Sequence, residues 1–302
     1  MTATTAGFRH ELVGLMGYPV NENPTGPMME AGFAAAGLRW RYLTLEVTPE
    51  ALGDAVRGAR AMGLRGFHCT IPHKVAVRAH LDSIGPTARH TGAVNCVVRR
   101  GDELVGENTD GRGLLDCIRQ ITDPAGACAV VLGAGGAARA ITAELAAAGA
   151  ATIIIASRDI TRAIELRELC DGVPSPDGGT VRAVAAAWAG DFEVPRCDLL
   201  INATPVGMHP ETGARLALAV DTIPGHAIVA DVVANPRVTG LIKAAREHGC
   251  RTVTGAEMLV AQAALSFELW TGRSAPRAVL RDALLGALDA TASGAATATL
   301  PQ

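Results

Sequence analysis

The sequence predicts an α/β protein of two lobes, an N-terminal α/β substrate lobe and a Rossmann-like, doubly wound nucleotide-binding lobe. Three observations carry the prediction. Short apolar strands alternate with helical patterns along the chain. A Gly-rich turn, Gly133-Ala134-Gly135-Gly136-Ala137, stands between the apolar run CAVVL and a helical pattern. The 302 residues, 49% hydrophobic and 19% charged, suffice for two packed cores and exclude global disorder.

ELVGLMG reads as the first strand, ending at Gly17, and residues 25–37 as a helix after a Pro-rich turn. RWRYLTLEV alternates as a strand. TPEALGDAVRGARAMG is an amphipathic helix with Thr48 as expected N-cap and Pro49 in its first turn. GFHCTIP is a strand stopped by Pro72, residues 73–91 are helical in part, and AVNCVVRR and ELVGEN form a hairpin around Gly101. From about residue 125 the pattern becomes strand, Gly-rich turn, helix, strand (ATIIIASR). Further strands are expected at 181–185, 198–202, 227–232 and 251–253, with helices separating them. Two long helices follow, MLVAQAALSFELWTG and PRAVLRDALLGALDA, and the last dozen residues read as a frayed tail. The domains expected are 1–118 for substrate, 119–256 for nucleotide, and 257–302 returning to the substrate domain.

The net charge of −3 argues against a nucleic-acid or anionic-membrane surface. No apolar run is long enough to span a membrane, and the N-terminus lacks a secretory pattern. The seven cysteines are scattered, with no CxxC and no zinc spacing, so reduced thiols in a cytoplasmic protein and no metal site are expected. Of the 27 basic residues only Lys74 and Lys243 are lysines. Lysine can exchange its proton near neutrality where arginine cannot, so each invites inspection. Lys243, in the surface pattern LIKAAREHG, reads as a solvated residue.

In the Gly-rich turn, Gly133 permits the tight bend, Gly135 lets backbone N–H groups approach a pyrophosphate, and the helix start stabilises the anion. About 20 residues on, where an acidic residue would mark NAD, the chain reads Ser157-Arg158-Asp159, with Arg162 one turn later. Two arginines facing a 2′-phosphate favour NADP; Asp159 keeps NAD open. In the first lobe, CTIPHK puts Lys74 after a strand end and GENTDGRG puts Asp110 at the opening of a helix. On neighbouring strand ends the two would share one bound hydroxyl, the aspartate orienting the lysine that moves the proton. A surface ion pair is the alternative.

The segments GYPV, GFHCTIPHK, TGAVNCV, GENTDGRG, GAGGAARA, INATPVGM and GAEMLVAQAALSFELWTG occur in one order over residues 13–287. In them the chain resembles the shikimate/quinate dehydrogenase family. The resemblance implies Lys74 as catalytic lysine, Asp110 as its partner, and Thr70, Asn95 and Gln262 as ligands of the ring hydroxyls or the acid group. It places Gly133, Ala134, Gly135, Gly136 and Ala137 at the phosphates, with Ser157, Arg158, Arg162 and Thr204 on the nucleotide and Val232 and Gly255 beside the nicotinamide. The rest of the 258–270 helix reads as core. The implied reaction is reversible reduction of 3-dehydroshikimate by NADPH, in a monomer or homodimer.

The chain departs from the family pattern at one end of the site. Asn23-Pro24-Thr25 replaces Ser-x-Ser, Ala234 replaces a tyrosine, and His68 replaces an asparagine. Asn23 and Thr25 are expected to take over the substrate's carboxylate. His68 reads first as a hydrogen-bonded histidine beneath the loop and alternatively as a substrate contact; His73 reads as loop structure. Quinate, an aminoshikimate or another cyclic hydroxy compound remain alternatives, as does a non-catalytic nucleotide sensor.

Overall fold

Two six-stranded sheets organise the chain. The structure, a computed structural model, describes residues 8–21, 23–171, 173 and 180–292. The first lobe follows the order β1 (Glu11–Gly17), α1 (Thr25–Ala35), β2 (Trp40–Glu46), α2 (Leu52–Ala61), β3 (Gly66–Cys69), α3 (His73–Ala76), β4 (Ser83–Ile84), α4 (Pro86–Thr91), β5 (Cys96–Arg100), β6 (Glu103–Glu107) and α5 (Asp110–Arg119). Its sheet runs β2-β1-β3-β5-β6-β4. β1 is parallel to β2 and β3, whereas β5 is antiparallel to β3 and β6. The α2 helix begins at Leu52, not after Thr48 as expected. The intervening residues close a turn in which the Ala51 N–H donates to the Thr48 carbonyl at 3.1 Å.

The second lobe contains β7 (Cys128–Leu132), α6 (Gly136–Ala147), β8 (Thr152–Ser157), α7 (Ile160–Asp171), β9 (Arg182–Ala187), β10 (Phe192–Glu193), β11 (Leu199–Asn202), β12 (Leu218–Ala219), β13 (Ile228–Asp231), α8 (Gly240–Glu247) and β14 (Arg251–Val253). Its parallel sheet runs β14-β13-β11-β7-β8-β9. Strand order therefore reverses between β7 and β11, and the crevice at their C-terminal ends is where such sheets bind ligands. β7 and β11 are buried on both faces, which explains the apolar runs CAVVL and Leu199–Ile201. The expectation that helices separate all strands fails on either side of β11. There the short β10 and β12 pair with each other, and one 3₁₀ turn (Val220–Thr222) is the sole helical element. Pro205, Gly207, Pro210 and Gly213 break any helical period in the longer connection.

Two helices, α9 (Gly255–Thr271) and α10 (Arg277–Ala292), return to the first lobe. Phe267 of α9 stacks on Phe33 of α1 at 5.5 Å, and the Trp270 indole N–H donates to the Val97 carbonyl at 2.9 Å. Burial of this aromatic cluster anchors α9, so the polar residues one face round are held rigidly. The α5 helix is wedged between the lobes. A Cβ on Gly111 would strike the Ala140 carbonyl of α6, and one on Gly113 would lie 2.8 Å from the Gln262 nitrogen of α9. Glycine at both positions lets three helices meet backbone to backbone, with Asp110 at the junction. The tail beyond residue 292, expected to be frayed, lies outside the described residues.

Candidate active site

Lys74 stands on the single turn of α3, directly after β3, and Asp110 is the first residue of α5. The Lys74 ammonium donates to Asp110 Oδ2 at 2.6 Å, with side-chain exposures of 23% and 11%. The strand ends that carry them are not neighbours, contrary to expectation, because β5 lies between β3 and β6. Asn95, just ahead of β5, fills the gap. Its amide donates to Asp110 Oδ1 at 2.8 Å and to Thr109 Oγ1 at 2.9 Å, and its oxygen accepts the Thr109 N–H at 2.7 Å. Gln262 Oε1 accepts from Thr109 Oγ1 at 3.2 Å and from Asn95 at 3.3 Å. The Asp110 N–H donates to Asn108 Oδ1 at 3.1 Å. Each carboxylate oxygen of Asp110 thus has its own donor, which fixes its plane and leaves the lysine as the mobile, proton-bearing partner. Thr70 follows β3, its methyl against Gly17 and its backbone N–H donating to the Met16 carbonyl. Thr109 and Asn108 were not singled out in the sequence, although both lie in GENTDGRG; their roles depend on side-chain geometry that spacing does not carry.

At the other end of this patch, Asn23 Oδ1 accepts the Thr25 N–H at 3.0 Å, a turn that starts α1 with Thr25 buried. His68 is buried between Tyr42 and Trp270, and its Nδ1 lies 2.7 Å from the Tyr42 hydroxyl. Its Nε2 is buried without a partner. Burial pushes the imidazole down to about 3, so the ring is neutral. The His73 ring bonds the Val47 carbonyl at 2.7 Å and is a loop anchor.

Across the cleft, Gly133 has φ +106, and a Cβ there would lie 2.8 Å from the Thr204 methyl. Gly135 caps α6 with no side-chain acceptor on the first N–H groups and no acidic residue in the first turn. A Cβ built on Gly135 meets nothing within 4 Å. Unsatisfied donors, open space and the positive end of the helix fit a pyrophosphate. Ala134 and Ala137 pack against the core beneath the turn. A Cβ on Gly136 would lie 4.0 Å from Lys74 Cδ, so the turn and the lysine face each other.

Ser157 Oγ accepts the Asp159 N–H at 3.2 Å, and Asp159 Oδ1 accepts the N–H groups of Thr161 and Arg162 at 3.1 and 3.3 Å. Asp159 also pairs with the Arg162 side chain at 3.4 Å. Its charge is therefore spent at the start of α7, and the exposed Arg158 has no ion pair among the described residues. Thr204 donates its hydroxyl to Asn202 Oδ1 at 2.7 Å and so shapes the turn at Gly133. The Asn202 amide in turn donates to Asp231 Oδ1 at 2.9 Å, and Thr239 to Oδ2 at 2.6 Å. Burial raises the Asp231 carboxyl against these hydrogen bonds. Val232 follows β13 directly, its N–H donating to the Asn202 carbonyl, and Gly255 opens α9 hard against the Val233 carbonyl. A cavity of about 610 Å³ behind the lobe junction, lined by Arg237, Val253, Glu257 and Arg277 among others, contains none of these groups, so the chemistry locates the site and cavity size does not.

Residues 15–97 match the model of the shikimate dehydrogenase substrate binding domain, and residues 255–285 that of the shikimate 5′-dehydrogenase C-terminal domain. A shikimate dehydrogenase (NADP(+)) of Symbiobacterium thermophilum is 43% identical over 286 residues, 92% of this chain and 95% of the relative. The chain belongs to the shikimate dehydrogenase family. Among solved structures of this family's fold, a shikimate dehydrogenase in complex with NADP+ superposes with TM-score 0.86 at 33% identity, over 92% of this chain and 96% of the other. A 5-ketofructose reductase of Gluconobacter sp. strain CHM43 superposes equally well, TM-score 0.86, at 44% identity over 93% and 99%. No helix among the described residues is long and apolar enough to cross a membrane.

Proposed function

We propose that the chain is an NADP-dependent dehydrogenase that interconverts a ketone and a secondary alcohol on a polyhydroxylated substrate of the 3-dehydroshikimate/shikimate type. The observation that supports it best is the Lys74–Asp110 pair, 2.6 Å apart and facing the Gly-rich turn. Bound NADPH supplies the hydride. Lys74 gives its proton to the carbonyl oxygen as that oxygen gains charge, and recovers it in the reverse direction. Asp110 holds the ammonium in place, and Asn95 and Thr109 hold Asp110. Thr70 and Gln262 hold substrate hydroxyls, Asn23 and Thr25 the far end of the substrate, and Arg158 the 2′-phosphate. In this reading residues 1–118 with 257–302 bind substrate and 119–256 bind nucleotide, in a cytoplasmic monomer or homodimer. The test is NADPH oxidation by the purified chain with 3-dehydroshikimate, and NADP reduction with shikimate and quinate. Binding of NADPH without turnover of any ketone or alcohol would leave only a nucleotide sensor.

A second reading, reduction of an uncharged polyhydroxy ketone, has its own support. At the acid end Ala234 stands where the family pattern has a tyrosine, so one hydroxyl donor is missing, and burial keeps His68 neutral so that it adds no charge in its place. A buried carboxylate with too few donors is costly. A 5-ketofructose reductase is among the similar structures.

A further inference from the structure

His68 holds an imidazole nitrogen, Nε2, that is buried and has no partner. A buried idle polar atom is rare in a folded protein and is destabilising unless a ligand satisfies it. The ring is otherwise tightly specified. Trp270 lies 4.6 Å from it, and Tyr42 holds Nδ1 at 2.7 Å. Its register partner across the strand pair is Cys96, a buried thiol.

The ring is also in the right place. Strand alternation sets His68 on the same face as Gly66, whose Cβ would strike Trp270, and as Thr70 two residues on. The start of α1 rests on its partner, since a Cβ on Gly26 would lie 3.9 Å from Tyr42 Cδ1. Tyr42, which holds His68, therefore packs beneath Gly26, the residue after Thr25. The fields of both Lys74 and Asp110 reach the ring.

We infer that His68 Nε2 is a specificity-determining substrate contact, hydrogen-bonded to a neutral hydroxyl of a polyhydroxy ketone at the end where relatives are expected to bind a carboxylate. This rests on the dehydrogenase reading above and names its substrate class. A hydroxyl both donates and accepts, so it satisfies Nε2 whichever nitrogen carries the proton. A carboxylate accepts only, which suits one tautomer and leaves its charge uncompensated against an aromatic wall.

The experiment measures kcat and KM at saturating NADPH for 3-dehydroshikimate and for two uncharged ketones, 5-ketofructose and a keto-inositol. Wild type, His68→Asn and His68→Gln are compared, with NADPH affinity by fluorescence titration as the measure of an intact nucleotide lobe. Wild type is expected to favour an uncharged ketone in kcat/KM. His68→Asn is expected to raise KM for that ketone at least tenfold, with kcat falling far less, and to shift the ratio toward 3-dehydroshikimate. His68→Gln, whose amide extends further toward the Nε2 position, is expected to recover part of the lost KM, and serves alone if His68→Asn does not fold. A preference ratio and KM within twofold of wild type in both variants, or a wild type that favours 3-dehydroshikimate, overturns the inference while the dehydrogenase reading stands. NADPH binding without oxidation by any of the three ketones overturns both.

Discussion

Lys74 Nζ stands 2.6 Å from Asp110 Oδ2, joining a one-turn helix after β3 to the first residue of a helix that the two lobes share. The contact holds the ammonium in one place, so that Lys74 can give its proton in one direction of the reaction and take it back in the other. Lys74→Ala is expected to lower kcat by about 10²–10⁴-fold, the usual worth of a general acid. Affinity for NADPH stays near wild type because the residue belongs to the other lobe. Lys74→Arg fails similarly, as guanidinium keeps the charge but does not release its proton. Steady-state kinetics and a fluorescence titration check both; near-normal turnover by either variant would remove Lys74 from the chemistry.

Asn95 acts one step behind this pair. Its amide is the side-chain donor on Asp110 Oδ1, and its oxygen holds the Thr109 N–H. Hydrogen bonds to charged groups contribute roughly 1.5–3 kcal/mol. Asn95→Ala is therefore expected to reduce kcat about 10- to 100-fold, less than loss of Lys74, and to lower the thermal midpoint because Thr109 loses a buried acceptor. Asn95→Ala combined with Lys74→Ala should cost little more than Lys74→Ala alone, as the two act through one carboxylate. Full additivity in kcat would mean that Asn95 touches substrate independently.

On the nucleotide side, Arg158 is exposed and has no ion pair among the described residues, while Asp159 is consumed at the start of α7. Arg158→Ala is expected to weaken NADPH by roughly 1.5–3 kcal/mol and NADH far less. Gly133→Ala makes the contrasting control. It forces a side chain into φ +106 and against the Thr204 methyl, so both cofactors weaken together. Equal effects of Arg158→Ala on the two cofactors would assign the arginine to the adenine or to the fold.

Much of this architecture is legible in the chain because backbone needs leave marks. Gly133 and Gly135 announce the turn, and the apolar run CAVVL announces a strand buried on both faces. Lys74 and Asp110 stand out through a rare residue type and a helix-opening acid. The order of strands in the first sheet is not legible. The antiparallel β5 slips between β3 and β6, and no periodicity records which neighbour a strand chooses. The role of Asp159 is hidden for a related reason. Sequence shows a negative charge beside two arginines, whereas the structure shows that charge already shared between backbone N–H groups and Arg162. Likewise His68 reads as a satisfied histidine until its second nitrogen is seen to lack a partner.

The buried His68 ring also sets a pH dependence of stability. Desolvation holds its pKa at about 3, against 6.5 for the unfolded chain, with Asp110 opposing and Lys74 reinforcing that shift. Between those values the unfolded chain binds a proton that the folded chain refuses, so ν_U exceeds ν_N and stability rises with pH. The stabilisation is complete above about pH 6.5 and is lost progressively as pH falls toward 3. One such proton gives a slope of about 1.4 kcal/mol per pH unit. Comparison with His68→Asn isolates the effect in the window from pH 6.5 to 5, because every other titrating group is common to the two proteins. Glu11, held down by Arg65, loses its contribution below that window, while Asp231 and Glu144, raised by burial, oppose it. Wild type is therefore expected to lose thermal stability on acidification from pH 6.5 to 5, and His68→Asn to show a flatter profile over the same interval whatever its absolute midpoint. Calorimetric scans at half-unit pH steps read the difference. An unchanged slope in the variant would mean that His68 is not the group refusing the proton, and that water or a neighbouring side chain reaches Nε2 in solution.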